Sequence, residues 1–314
     1  MKTVFFPSRI STMYGFVRGR QLEGTFPGEP GTGVWPITAL RIGFGWGSLP
    51  EELWPKSGGQ WPPPEPPNVD SEAKKFRAGR YQRVRTLDDC KKVMANVRPF
   101  PVLASFEITD KWRDAPSGSI PAPASDDISL GNHTVLLVGY DDSRGEFKFQ
   151  NSWGADWGDG GFGTIGYETF EATCWEAWVW DFIGARDDTP KEPLGFKRGD
   201  WGLRDHAGGM FHCREFIDPD DERIAWAFAI ERVEALEVEE LFVRPRFRRN
   251  GYGKRLIRWI RELAHHEQLP LKIWIPDVDT DPQNLQVLKK LIDPLELRIV
   301  DSDSRWAPLM AQAA

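Results

Sequence analysis

Apolar positions set out a series of short elements in the first half of the chain. SRISTMYGFVRGRQLEG, within Met1–Gly24, repeats them at roughly helical spacing, and a second short helix is expected near Ile37–Gly43. Ser57–Asp70 is dense in proline and reads as an extended loop, because proline removes backbone donors and excludes helix. Arg80–Val84 is expected as a strand. Thr86–Asn96 is expected as a helix, with Asp88 and Asp89 in the first turn, where the helix dipole favours acidic groups. Pro101–Ile108 reads as a buried strand, and the stretch to Leu130 has no clear period. Then the unbroken run Thr134–Val138, a Gly-Tyr-Asp-Asp turn and Glu146–Gln150 make a hairpin, with His133 and Asn151 at matching strand ends. A last strand and a short helix over Tyr167–Ile183 close this half with a Trp-rich patch.

The charged, two-proline segment Ala185–Lys197 is the best linker candidate, and the pattern changes after it. Gly208–Phe216 and Arg223–Glu231 read as strands joined by the turn at 217–222. Leu236–Val243 is a third strand, Asn250–Glu267 a long amphipathic helix, Leu271–Ile275 a strand, Pro282–Leu291 a helix and Leu295–Val300 a strand. That order describes an α/β or α+β unit.

Composition narrows the functional classes. The 314 residues suffice for two domains, and 40% hydrophobic with 28% charged residues describes a soluble globular chain. No apolar run reaches the roughly 18–20 residues that a membrane span requires. A net charge of -7 argues against nucleic-acid binding by the whole chain. Cys90, Cys174 and Cys213 are too scattered for a disulfide framework or a zinc site, no metal is expected, and the start lacks an apolar signal core. A cytoplasmic location is the expectation. The fifteen tryptophans, many beside Gly or Pro, suggest packing under loops.

A histidine and an asparagine brought together across paired strands are two thirds of a nucleophilic site, since the amide oxygen can hold the imidazole in the tautomer that activates a thiol. GNHTVLLVGYDD and NSWGADWGDGGFG resemble the His and Asn blocks of papain-like (C1) cysteine peptidases, particularly bacterial ones. The resemblance implies a papain-like fold over residues 1–187 with catalytic roles for His133 and Asn151. In that family the thiol lies well upstream of the His, on a helix, and this chain has no cysteine before Cys90. The expectation is therefore an N-terminally truncated papain-like domain that binds a peptide or protein partner. A separately encoded polypeptide, or an upstream start, could supply the nucleophile.

Glycines between a strand and a helix let backbone N–H groups approach a pyrophosphate, and the helix N-terminus favours the anion. Here the segment 241–256 reads LFVRPRFRRNGYGKRL and resembles motif A of the GNAT acyltransferases. The resemblance implies a GNAT α/β domain over residues 201–314, after a linker at 188–200, so that the whole is an α+β protein of two domains. It implies acetyl-CoA as acyl donor. The CoA-binding candidates are Phe242 and Val243 on the strand, Arg248, Arg249, Asn250, Gly251, Tyr252, Gly253 and Lys254 in the loop, and Asn284 in a second motif. The tyrosine that usually follows that asparagine by seven residues is Leu291 here. Acyl transfer to an amine needs a base, for which Glu237, Glu239 and Glu240 are the candidates. Regular strand alternation would put Glu237 and Glu239 on one face and Glu240 on the other.

Overall fold

The computed structural model describes residues 9–29, 31–56, 60–96, 100–180, 199–204, 209–274 and 298–300. They form two compact units of mixed helix and sheet, one spanning Tyr81–Asp181 and the other joining Met1–Arg80 to Phe182–Ser302.

The unit at Tyr81–Asp181 is built on a seven-stranded sheet. Its strands are β1 (Tyr81–Val84), β2 (Val102–Thr109), β3 (Ser119–Ile120), β4 (Ser129–Asp141), β5 (Glu146–Gln150), β6 (Phe162–Gly166) and β7 (Cys174–Trp180), in the order β1-β7-β2-β4-β5-β6-β3. The strand β4 is 13 residues long, far longer than its apolar run, because two partners extend it. Its first part pairs with β2 from Ser129 to Leu137, and its second with β5 from Leu136 to Asp141. No local window could show this, since β2 lies more than twenty residues upstream. Phe106, Val135, Leu137, Phe147, Phe149, Ile165 and Phe170 fill the core. The expected helix is present at Leu87–Ala95, capped by the Thr86 hydroxyl, which accepts from the Asp89 N–H at 3.0 Å. At the end of the unit the helix Tyr167–Thr173 precedes β7, the reverse of the expected order.

The other unit carries a six-stranded sheet: β8 (Gly199–Arg204), β9 (Met210–Ile217), β10 (Arg223–Glu231), β11 (Leu236–Val243), β12 (Leu271–Trp274) and β13 (Arg298–Val300), with order β13-β12-β11-β10-β9-β8. Pairing is antiparallel from β8 to β11 and parallel across β11, β12 and β13. The sequence AWAFA within β10 explains its two faces. Ala225, Ala227 and Ala229 are small enough to let the helix Tyr252–Glu267 pack closely, through Leu256, Ile260, Leu263 and Ala264. Trp226 and Phe228 project to the opposite face and meet Phe44, at ring separations of 5.2 and 5.1 Å.

Phe44 belongs to the helix Pro36–Gly45, which follows a first helix at Thr12–Leu22. The helix Pro36–Gly45, expected in the same domain as the hairpin, falls in one compact unit with the C-terminal sheet. Burial of Phe44, Trp226 and Phe228 drives that contact, and aromatic pairs of this kind are among the largest apolar contributions available. Of the expected linker, residues 188–198 lie outside the described residues, and β8 begins at Gly199. The expected helix Pro282–Leu291 also lies outside them.

Candidate functional sites

His133 lies within β4, paired with Phe106 of β2, and Asn151 follows β5, and the register Leu136↔Gln150 brings the two side chains together. His133 Nε2 lies 2.8 Å from Asn151 Oδ1. The same oxygen accepts the Ser152 backbone N–H at 2.8 Å, which orients the amide. An oxygen that accepts requires a donor, so Nε2 carries the proton and the Nδ1 lone pair of the neutral ring is left available. Trp153 stacks on the imidazole at 4.8 Å and 25°, and Trp112 meets it edge-on at 6.4 Å. The turn that returns from Asn151 needs glycine at Gly158: φ is +62° and a Cβ there would lie 2.3 Å from the Phe162 carbonyl oxygen. Asn151 is buried, and its Nδ2 has no hydrogen-bond partner among the described residues.

Burial lowers the His133 pKa, opposed in part by the Asn151 hydrogen bond. The ring is therefore neutral at pH 7, in the state that a general base requires. A depressed folded-state pKa means that the unfolded chain binds the proton more readily. Stability from this group is thus full above about pH 6.5 and is lost as pH falls from there to the lower folded value. An NMR titration of the imidazole should give a pKa below that of a free histidine, and His133→Phe should flatten this part of the stability profile.

None of the chain's three cysteines is exposed beside His133. Cys174 on β7 pairs with Phe106 of β2, which in turn pairs with His133, so two strand spacings, about 10 Å, separate Cys174 from the imidazole. Cys90, Cys174 and Cys213 are all buried, and burial pushes each thiol upward. All three should resist a thiol reagent at pH 8 and react on denaturation. Rapid labelling of any of them in the folded protein would contradict their burial.

In the other unit, β11 runs into the turn Pro245–Phe247 and then the long helix. Gly251 is the N-cap of that helix, in the left-handed region at φ +81°, which aims the first-turn N–H groups outward. The neighbouring Arg249 is also left-handed, at φ +66°. Arg248, Arg249, Asn250, Gly251 and Lys254 are exposed, whereas Tyr252 is half-buried and its ring packs on Phe216 at 5.2 Å. Arg248 Nε donates to the Val243 carbonyl at 3.2 Å, which folds the turn back on the strand end. A Cβ at Gly253 would make only an ordinary contact with Val243, at 3.7 Å, so close packing does not demand glycine there. The structure thus assembles a helix N-terminus, a left-handed turn and a group of exposed cations, a set suited to a phosphate. Phe242 is different: its side chain is buried, with the Arg41 guanidinium 4.7 Å above its ring, so only its backbone remains for a ligand. Asn284 lies outside the described residues.

The three glutamates are not arranged as regular alternation predicts. A β-bulge in β11 lets Phe228 pair with Glu240 but Ala229 with Val238, so Glu239 is the extra residue. Glu237 pairs with Ile230 and Glu240 with Phe228, two residues apart on β10, which places Glu237 and Glu240 on the same face. β11 pairs in parallel with β12 from Leu236 to Val238, just before the bulge. Glu240 is held by Arg41, with Nε to Oε2 at 3.0 Å and Nη2 to Oε1 at 2.9 Å. Neither Arg41 nor Trp153 was singled out as functional in the sequence. The order Asn-Ser-Trp is a signal for Trp153, whereas nothing near Arg41 announces its partner.

Two family models match the chain, one in each half. Residues 65–176 match the family model described as papain family cysteine protease, and residues 172–290 match that of the acetyltransferase (GNAT) family. An uncharacterized peptidase C1-like protein of Acanthamoeba polyphaga mimivirus is 24% identical over 177 residues, 53% of this chain and 55% of that protein. The thiol protease aleurain of Arabidopsis thaliana is 37% identical over 83 residues, 24% of this chain and 21% of aleurain. The chain thus spans about half the length of the first relative and a fifth of the second. Among solved structures, xylellain, a cysteine protease from Xylella fastidiosa, aligns with TM-score 0.49 and 24% identity, over 55% of this chain and 70% of that one. Two families therefore meet in this chain, a papain-type C1 domain carrying His133 and Asn151 and a GNAT domain carrying the loop from Arg248 to Lys254.

Proposed function

We propose that the C-terminal unit transfers an acetyl group from acetyl-CoA to an amine, and that the C1 domain presents its histidine and asparagine to a peptide or protein without a thiol of its own. The observation that carries the first part is the turn at Gly251, where a helix N-terminus and the exposed Arg248, Arg249 and Lys254 converge just past the end of β11. The pyrophosphate suits the helix N-terminus and its cations. In the reaction, the amine nitrogen attacks the thioester carbonyl, the C–S bond breaks as the C–N bond forms, and the CoA thiolate leaves. A carboxylate takes the ammonium proton before attack. Calorimetry of the full chain with acetyl-CoA tests this reading, and absence of binding by the folded protein sinks it.

A second reading rests on Asn151 and His133. The imidazole is already in the tautomer that would accept a thiol proton, and a buried amide nitrogen beside it awaits a partner. Both features suit a cysteine peptidase whose nucleophile comes from another polypeptide. This reading predicts that the chain alone does not hydrolyse fluorogenic peptides. It also predicts hydrolysis, sensitive to His133→Ala, when the chain is mixed with its complementing polypeptide.

A further inference from the structure

We infer that Arg41 is a positioning residue of the acyltransferase unit, and that its pair with Glu240 holds β11 in place and removes Glu240 from the list of bases. This rests on the acyltransferase reading above. Arg41 stands 199 positions before Glu240, well outside the residues that match the acetyltransferase family.

The chemistry of the pair decides its role. Both side chains are buried, at 2% and 1% exposure, and the guanidinium engages both carboxylate oxygens in a fork. A third donor, the Leu241 N–H, reaches Oε1 at 3.0 Å. With three donors on its two oxygens and 1% exposure, this carboxylate is committed to the ion pair and is not presented to an incoming amine. Of the other two candidates, Glu239 is as buried as Glu240 and is the extra residue of the bulge, whereas Glu237 is partly exposed and pairs with Arg232 at 3.3 Å.

The contacts around the pair show what it positions. Phe44 packs against Trp226 and Phe228, and its carbonyl accepts from Arg223 at 2.5 Å. At the far end of β11, the Arg244 guanidinium lies 3.7 Å over the Trp46 ring. Gly45 lies so close to Trp226 that a Cβ there would be 2.6 Å from the indole. Residues 41–46 thus grip β11 both at Glu240 and just past its end, bracketing the last stretch of the strand before the loop that leads to Gly251. A shift of that stretch would displace the loop that follows it.

The test uses the full chain with Arg41→Met, Glu240→Met and the double variant, read by acetyl-CoA calorimetry, by denaturant unfolding, and by CoA thiol release with a panel of primary amines. Each single variant is expected to weaken acetyl-CoA binding about tenfold. The double variant, in which an apolar pair replaces the ionic one, should recover most of both binding and thiol release. A folded double variant that binds acetyl-CoA as wild type but loses more than a hundredfold in thiol release would make Glu240 the base and overturn the inference. If the wild-type chain binds no acetyl-CoA, the acyltransferase reading falls by itself. The unfolding cycle then decides on the pair, and additive effects of the two single substitutions would overturn it.

Discussion

Arg41→Met is expected to destabilise its unit by about 3–5 kcal/mol, the cost of leaving one partner of a buried ion pair without the other. The carboxylate of Glu240 would remain at 1% exposure, with the Leu241 N–H still donating but the Arg41 cation gone. Methionine matches the length of the arginine stem, so little of the loss would come from a cavity. The cation above the Phe242 ring would be lost as well, which adds in the same direction. In a unit of this size the transition should fall by roughly 10 °C, at about 2–4 °C per kcal/mol. Scanning calorimetry of the full chain would show it. A transition moved by less than about 2 °C would mean that the pair is not buried in solution.

Gly251→Val is expected to raise the Kd for acetyl-CoA by about ten- to a hundredfold while costing only about 1–2 kcal/mol of stability. No atom lies within 4 Å of a Cβ placed there, so the substitution meets open space and not a clash. Its whole effect comes through φ, which stands at +81° and which a β-branched residue strongly resists. If the backbone relaxes to a negative φ, the first-turn N–H groups swing away from the site where the phosphates converge. The pairing of a small stability change with a large affinity change distinguishes this from general damage to the fold. Calorimetric titration measures one and denaturant unfolding the other. An unchanged Kd would place the pyrophosphate elsewhere.

Much of the C-terminal sheet was legible because its signals are local. Arg223–Glu231 and Leu236–Val243 were read with the bounds that the structure shows, since alternating apolar residues and an Asp-Pro turn mark strand ends within a few residues. The long helix starts two residues later than expected, at Tyr252, because Gly251 takes the left-handed N-cap position. The pairing of His133 with Asn151 was legible for the same reason, as a hairpin brings strand ends together by its own geometry. By contrast, the face on which Glu240 lies was misread. One extra residue in β11 shifts the register, and a bulge leaves no mark in the alternation of LEVEELFV.

The sequence by itself determined the two motif sets, the hairpin that carries His133 and Asn151, and the strand, turn and helix that present Gly251. Each follows from periodicity and turn chemistry within roughly twenty residues, where backbone geometry leaves few alternatives. Only the tertiary structure decided that the helix Pro36–Gly45 belongs with the C-terminal sheet, and that Arg41 closes on Glu240 across 199 positions. Such a contact is set by which apolar faces find one another. Phe44 has no preference for Trp226 and Phe228 that the chain could show before those three side chains share one core.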